Sequence, residues 1–332
     1  MRYSDAGVDI NRMNKVKNAI GKMVRSTFSP AVLSEIGLFG ALFKAPSGKN
    51  PVLVASCDSV GTKILIAREM QQFDTVGIDI VNHCVNDILT LGARPLFFLD
   101  YIAHSDLSSN QLLAIVKGLT RACQENNCAL IGGETAMMPD IYPAGDFDLV
   151  GFIVGGVEFN NIVNPERLNP GDWLIGIPSN GLHTNGYSLA RKVFFERHNL
   201  SVHSEIKGLK RSLGNELLRP HRSYLKVLYP LLKKIKALAH ITGGGFYDNI
   251  ARILPAETSC IIKKSSWRIP PIFQVLQKLG DVPEEEMYRT FNMGIGMVIF
   301  VNPDKGEEVL RKIPGARKIG RVVRGTFGVL IV

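Results

Sequence analysis

The stretch GIDIVNHCVNDILTLGARPLFFLDYIA, residues 77–103, changes character halfway. Its first sixteen residues read as a long helix. After Gly92 and the Arg94-Pro95 pair, PLFFLDYIA is a compact apolar run of strand length. A helix feeding directly into a strand points to a domain that mixes both elements, and the flanking sequence repeats the theme. Upstream, PVLVAS (51–56) reads as a strand and TKILIAREM (62–70) as a helix. Downstream, NQLLAIVKGLTRACQENN (110–127) sets Leu112, Ile115, Val116 and Leu119 on one stripe of an amphipathic helix. CALIGGE (128–134) and FDLVGFIVGGVE (147–158) then read as further strands.

At NPERLNPGD (164–172) the chain turns repeatedly through Pro165, Pro170 and Gly171, and a strand pattern restarts at DWLIGIPS. A length of 332 residues exceeds what one hydrophobic core usually serves. Two domains are therefore expected, 1–165 and 166–332. In the second, helices are expected over Gly186–His198, Arg222–Lys234, after Gly243–Gly245 and over Pro270–Leu279; strands are expected at ALAHIT, SCIIKK, GIGMVIFV, KIGRVV and GVLIV. Near the start, Met13, Val16, Ile20 and Met23 space a short helix over Asn11–Ser26, and IGLFGALFK (36–44) reads as a glycine-bracketed flexible loop. The fold class expected is α+β or α/β in each half. No internal repeat is visible.

Composition narrows the function. Apolar runs stay well below the roughly 18 residues a membrane helix requires. The opening MRYSDAGVDINR lacks the apolar core of a secretory leader, so a cytoplasmic protein is expected. Five cysteines without a C-x-x-C pair argue against a disulfide framework or a zinc site. The net charge of +9 is scattered, without interleaved aromatic residues, which favours small anionic ligands over nucleic acid.

Three segments of the first half pair an acidic residue with a turn or helix end. CDSVGTK (57–63) holds Asp58, Gly61, Thr62 and Lys63, but in an order no P-loop can use. Asp58 caps the following helix or meets a cation there. Asn86 and Asp87 project from the long helix. Gly132 and Gly133 are expected to bend the chain after a strand, with Glu134 and Thr135 at the tip. Together, Asp58, Asp87 and Glu134 suit a magnesium ion carrying a polyphosphate, since that ion takes one or two carboxylates plus phosphate oxygens and water. Lys63 would neutralise charge on the departing phosphoryl group. In the second half, SNGLHTNGYSL places His183, Asn185 and Gly186 in a loop entering a helix, and HITGGGFYDNI places His240, Thr242, Gly243 and Gly244 at a strand-to-helix turn, an arrangement suited to anions.

These residues lie in longer motifs. YSDAGVDI (3–10), FGALF (39–43), SVGTK (59–63), the helix-strand stretch above, LIGGETA (130–136), GLHTNGYSL (181–189), HITGGGF (240–246) and MYRTFNMGIGM (287–297) closely resemble the phosphoribosylformylglycinamidine cyclo-ligases of purine biosynthesis, almost end to end. The resemblance implies a homodimer whose amino-terminal half pairs a mixed sheet across the dimer axis, a carboxy-terminal α/β half, and an active site in the cleft between halves. It implies ATP and magnesium as cofactors and a phosphoribosyl small molecule as substrate, whose formyl amide oxygen is phosphorylated before ring closure. Position by position, Asp58, Asp87 and Glu134 resemble the metal shell, with Gly61, Thr62, Lys63, Asn86, Gly132, Gly133 and Thr135 supporting the nucleotide. Gly40 lies in a segment similar to the loop that folds over the nucleotide. His183, Asn185, Gly186, Thr242, Gly243 and Gly244 resemble the substrate side, with Lys63, His183 and His240 as catalytic candidates. His240 is an acid, a base or an orienting group. The related small-molecule kinases, such as thiamine-phosphate kinases, are the alternative, and an aspartate often stands there where His240 stands here. Ser59, Met137, His221 and Ser223 depart from the usual family pattern, which has glycine, glutamate, threonine and isoleucine at those places.

Overall fold

A computed structural model describes residues 19–34 and 41–332. The chain forms two compact units. One comprises the residues up to Ile88 together with Arg94–Glu158; the other comprises Leu89–Ala93 and Phe159–Val332.

The first unit is built on a four-stranded sheet in the order β1-β4-β2-β3, where β1 is Pro51–Ser59, β2 Arg94–His104, β3 Ala129–Met137 and β4 Phe147–Glu158. β4 runs antiparallel to both β1 and β2, and β2 runs parallel to β3, so the sheet is mixed as expected. Helix α1 is described over residues 19–25 and accounts for the end of the stretch read as helical; the rest of that stretch, and Gly40, lie outside the described residues. Helices α2 (Lys63–Met70), α3 (Asp74–Leu89) and α4 (Ser109–Glu125) follow. α4 begins where a capping box dictates: the Ser108 hydroxyl accepts from the Gln111 N–H, and the Gln111 side chain accepts from the Ser108 N–H at 2.7 Å. α3 and α4 cross at glycines. A Cβ at Gly118 would collide with the Asp74 carbonyl, and one at Gly77 with the Ile115 carbonyl.

The sheet has two unlike faces. Ile80 of α3 and Phe98 fill the space a side chain at Gly151 would need, which marks the helix-covered face. On the other face Leu53, Phe152 and Tyr101 are 61%, 39% and 36% exposed. An antiparallel sheet packed on one side normally turns polar residues outward. Here the outward face is apolar.

The second unit is a six-stranded sheet in the order β10-β7-β9-β5-β8-β6, from β5 (Trp173–Pro178), β6 (Ile235–His240), β7 (Thr258–Ile262), β8 (Ile295–Val301), β9 (Arg317–Arg324) and β10 (Val329–Ile331). β8 is buried along its whole length, as its continuous apolar run requires. Only the β10/β7 pair is parallel. The α/β expectation for this half is corrected accordingly: the sheet is mainly antiparallel, with helices α5 (Tyr187–Arg191), α6 (Leu213–Leu217), α7 (Leu225–Leu228), α8 (Gly245–Ala251), α9 (Pro271–Gly280), α10 (Glu284–Thr290) and α11 (Pro303–Lys312) along the connections. Two expected helices are shorter. α5 passes into a π-helix at Lys192, and α7 passes into a 3₁₀ helix at Tyr229–Lys234, where Pro230 cannot supply the backbone N–H an α-helix needs. α6, α10 and α11 lie outside the expected helices. α11 buries only Gly306 and Val309, too few apolar residues for a periodic signal, although Asn302 accepting from the Asp304 N–H ahead of a proline is a legible start.

Candidate active site

In the first unit the candidate side chains sit on regular elements. β1 carries Asp58 to the helix-covered face, where its register partner on β4 is Gly151. α3 presents Asp79, His83, Asn86 and Asp87, which recur at helical spacing. The Asp58 carboxylate lies 2.9 Å from His83 Nε2, and Asp87 lies 3.6 Å from the same nitrogen. The Ser56 hydroxyl donates to Asp87 at 3.2 Å, and the Ser59 N–H donates to Asp58 at 2.7 Å. His83 is thus a buried link between two carboxylates that keep 38% and 28% of their side-chain surface open.

The electrostatics agree from both ends. Burial works against charge on His83, but the hydrogen bond it donates to Asp58 and the charges of Asp87, Asp58 and Asp79 outweigh it and raise the imidazole above its ordinary value. Burial would raise Asp58, yet the His83 hydrogen bond and charge, with the Ser59 N–H, hold it below the usual carboxylate range. The pair is ionic.

Several expectations need correcting here. Asp58 is an in-strand residue, and Thr62 at the start of α2 makes no capping side-chain bond. Lys63 is not presented at the Gly61-Thr62 turn: its ammonium is fully buried 2.7 Å from the equally buried Asp79. Burial lowers its pKa against the opposing charge of Asp79. Gly132 and Gly133 do not form a turn. They lie inside β3, because a Cβ at Gly133 would sit 2.5 Å from the Asp100 carbonyl and carboxylate. Asp58, Gly151, Asp100 and Gly133 form one row across the four strands. Asp100 is pushed up to about 7, chiefly by burial and further by the charge of Glu134. Glu134 and Thr135 continue β3, with Glu134 in register with Tyr101 on the open face. Asp58, Asp87 and Glu134 therefore do not converge within one chain; among the described residues they form no group of ligand atoms within 4.8 Å of one another. Two carboxylates with hard oxygen donors, Asp58 and Asp87, fit a magnesium ion that keeps water and phosphate oxygens; the third does not join them.

In the second unit the candidate residues sit on loops, except His240, which ends β6. Gly181, His183 and Gly186 all have positive φ, at 86°, 64° and 79°. Asn292, unnoticed in the sequence, donates to the carbonyls of Gly181 and Leu182 at 2.9 and 3.2 Å, and the Ser179 hydroxyl donates to Gly181 O. The Asn180 N–H donates to His183 Nε2 at 3.0 Å. The second loop is held by Asn249, whose amide donates to the carbonyls of Thr242, Gly243 and Gly245. The Thr242 hydroxyl turns inward to Asn249 and not outward to an anion. Gly243 approaches Asn185, where an added Cβ would be 3.3 Å from Oδ1. His183, His221 and His240 are all buried and lie together, with ring nitrogens within 4.8 Å of one another. Of these, His221 carried no assigned role in the sequence beyond its unusual identity.

Residues 40–157 match the family AIR synthase related protein, N-terminal domain, and residues 169–332 match its C-terminal domain. Both halves of the chain thus match that family. Phosphoribosylformylglycinamidine cyclo-ligase of Thermoanaerobacter pseudethanolicus is 49% identical, covering 100% of each chain. The enzyme of that name from Syntrophotalea carbinolica is 49% identical over 96% of this chain and 92% of its own. The chain belongs to the phosphoribosylformylglycinamidine cyclo-ligase family. Among solved structures, thiamine-monophosphate kinase from Stenotrophomonas maltophilia superposes with a TM-score of 0.70 at 18% identity, covering 93% of this chain and 94% of its own. Hydrogenase maturation protein HypE in complex with ATP gives 0.65 at 17%, covering 93% and 88%. At that identity the likeness is one of fold.

Proposed function

We propose that this chain closes the imidazole ring of formylglycinamidine ribonucleotide to give 5-aminoimidazole ribonucleotide, using ATP and releasing ADP and phosphate. The observation that carries it is the end-to-end identity with enzymes named for that reaction. ATP supplies the phosphoryl group and magnesium its charge neutralisation. Phosphorylation of the formyl amide oxygen makes it a leaving group; the amidine-side nitrogen then attacks that carbon, a C–N bond forms, and the C–O bond to phosphate breaks. Asp58 and Asp87 would hold the magnesium ion, with His83 keeping the two carboxylates together. Lys63 acts through Asp79, fixing the start of α2 against α3. The rigid loops carrying His183, Asn185, Gly186, Thr242, Gly243 and Gly244 receive the phosphoribosyl substrate, where His183 and His240 orient it or move a proton.

A homodimer accounts for the open sheet face. Leu53, Phe152 and Tyr101 form an apolar surface that water disfavours, and a second copy would cover it. Glu134 shares that face, so its contribution to the nucleotide is one that the dimer completes. Among the described residues no helix is long and apolar enough to cross a membrane, and the biosynthetic reaction fits the cytoplasm.

Purified chain incubated with ATP, Mg²⁺ and formylglycinamidine ribonucleotide is expected to yield ADP, free phosphate and the aminoimidazole in equal amounts. Absence of ADP above background overturns the reading. A phosphorylated product that persists selects the kinase alternative.

A further inference from the structure

Of the two histidine candidates on the substrate side, one has both edges of its ring turned into the protein. His183 stands at φ 64° in the loop after β5, and its ring folds back so that Nε2 accepts the Asn180 N–H at 3.0 Å. A backbone N–H can only donate, so Nε2 supplies a lone pair. A neutral imidazole with its lone pair there carries its proton on Nδ1. The reverse ring orientation would set Cε1 against that N–H and leave a donor without an acceptor.

The opposite edge faces the second sheet. A Cβ at Gly296 of β8 would lie 2.6 Å from Cε1 and 3.2 Å from Nδ1, so the missing side chain is what makes room for the ring. One ring face stacks on His221, with centroids 4.0 Å apart and planes 22° from parallel, and the residue is 1% exposed. A second proton has no place on this ring, because it would lie between Nε2 and the Asn180 N–H. The titratable groups packed against it are His221, His240 and Tyr224. Burial pushes the Tyr224 hydroxyl up and keeps it neutral, and Arg222 lies over its ring, so these neighbours offer no negative charge to favour an imidazolium.

What the ring does hold is the loop. The bond to Asn180 closes the turn Asn180–His183, whose carbonyls at Gly181 and Leu182 are tied by Asn292. Thr184, Asn185 and Gly186 follow directly, and Asn185 comes up against Gly243 of the second loop. We propose that His183 is a positioning residue: a neutral Nδ1–H imidazole that clasps the loop carrying Asn185 and Gly186 and moves no proton in the reaction. Proton transfer then falls to another group, with His240 the remaining histidine candidate. The consequence for turnover rests on the ring-closure reading above; the tautomer itself does not.

The test is ¹⁵N NMR of the full chain selectively labelled at histidine, with His183→Gln used to assign the His183 signals. The expected spectrum has His183 protonated on Nδ1 alone, unchanged from about pH 6 to about pH 8. His183→Phe keeps a ring against His221 but removes the acceptor, and should lower kcat/KM for formylglycinamidine ribonucleotide about 10–100-fold, with the KM for MgATP and the shape of the kcat pH profile unchanged. His183→Gln offers an acceptor oxygen to the Asn180 N–H and should restore most of that loss, which no amide could do for a proton-transferring imidazole. A wild-type His183 protonated on Nε2, or one that gains a second proton in that range, overturns the proposal whatever the variants do. So does a folded His183→Gln enzyme as impaired as His183→Phe that has also lost one limb of the kcat pH profile. A wild type that makes no ADP while His183 stays in the Nδ1–H form would instead count against the ring-closure reading.

Discussion

The acidic cluster of the first unit and the histidine cluster of the second reach the same end by opposite means. Asp58, His83 and Asp87 stand on a strand and a helix, and charge holds them together. His183, His221 and His240 lie at a loop, a connection and a strand end, and are held by amide and hydroxyl hydrogen bonds around positive-φ residues. Regular elements set a side chain's direction through their own ladders, so a carboxylate there can stay partly open to solvent and available to a cation. A loop needs its carbonyls tied, and Asn249 and Asn292 do that work. A site built from charge should respond to pairing; a site built from backbone conformation should respond to added atoms.

The largest effect expected is at the buried pair beneath the acidic cluster. Lys63→Met leaves Asp79 without its ammonium in a fully buried place and should cost about 3–5 kcal/mol in urea denaturation. Lys63→Met with Asp79→Leu should recover much of that loss, since two apolar groups need no partner; no recovery would mean the pair is not coupled. Next comes a glycine contrast. Gly186→Ala pushes a methyl into the Phe291 ring at φ 79° and should cost about 2–4 kcal/mol, whereas Gly61→Ala, at φ 65° with open space around it, should cost about 1–2 kcal/mol from backbone strain alone. Equal losses would erase the distinction between the two loops.

The smallest effect is electrostatic. His83 is raised, so its share of stability is present below the unfolded histidine value and is lost as pH rises through the folded one. Asp58 is lowered, so its share is present above the unfolded aspartate value and is lost as pH falls through the folded one. The ion pair therefore contributes between about pH 4 and a limit above about pH 6.5. His83→Gln should flatten that window by less than about 1 kcal/mol, because Asp58 is partly exposed. Thermal unfolding across pH checks it, and an unchanged pH profile would show that the pair is not charged.

Much of this was legible in the sequence, for physical reasons that differ by region. PVLVAS, PLFFLDYIA and FDLVGFIVGGVE announce strands because apolar runs of that length fit a sheet, and each strand is there. Asp58, Asp87, His183 and His240 stand out because acids beside a turn or helix end suit a cation and histidines in glycine-rich loops suit an anionic substrate. What escaped was tertiary. Nothing local says that Gly132-Gly133 is a close approach to Asp100 and not a turn, since either needs a missing side chain. Nothing local tells a presented lysine from one buried on Asp79, sixteen positions away across α2 and α3. His83 could have been found: it is four residues before Asp87, one helical turn away, where an imidazole and a carboxylate meet. Glu134 follows from strand parity, and its separation from Asp58 and Asp87 became visible only once β3 was seen to continue through the glycines.

The division of labour between the two clusters is tested most directly by steady-state kinetics of Asp87→Asn and His240→Ala against both substrates. Asp87→Asn should raise the KM for MgATP about 10–100-fold, with the KM for formylglycinamidine ribonucleotide within about twofold of the parent. His240→Ala should act on kcat and on the ribonucleotide while leaving the KM for MgATP in place. The reverse pattern, or an Asp87→Asn enzyme with unchanged MgATP dependence, would contradict the assignment of nucleotide to the acidic cluster and substrate to the histidines.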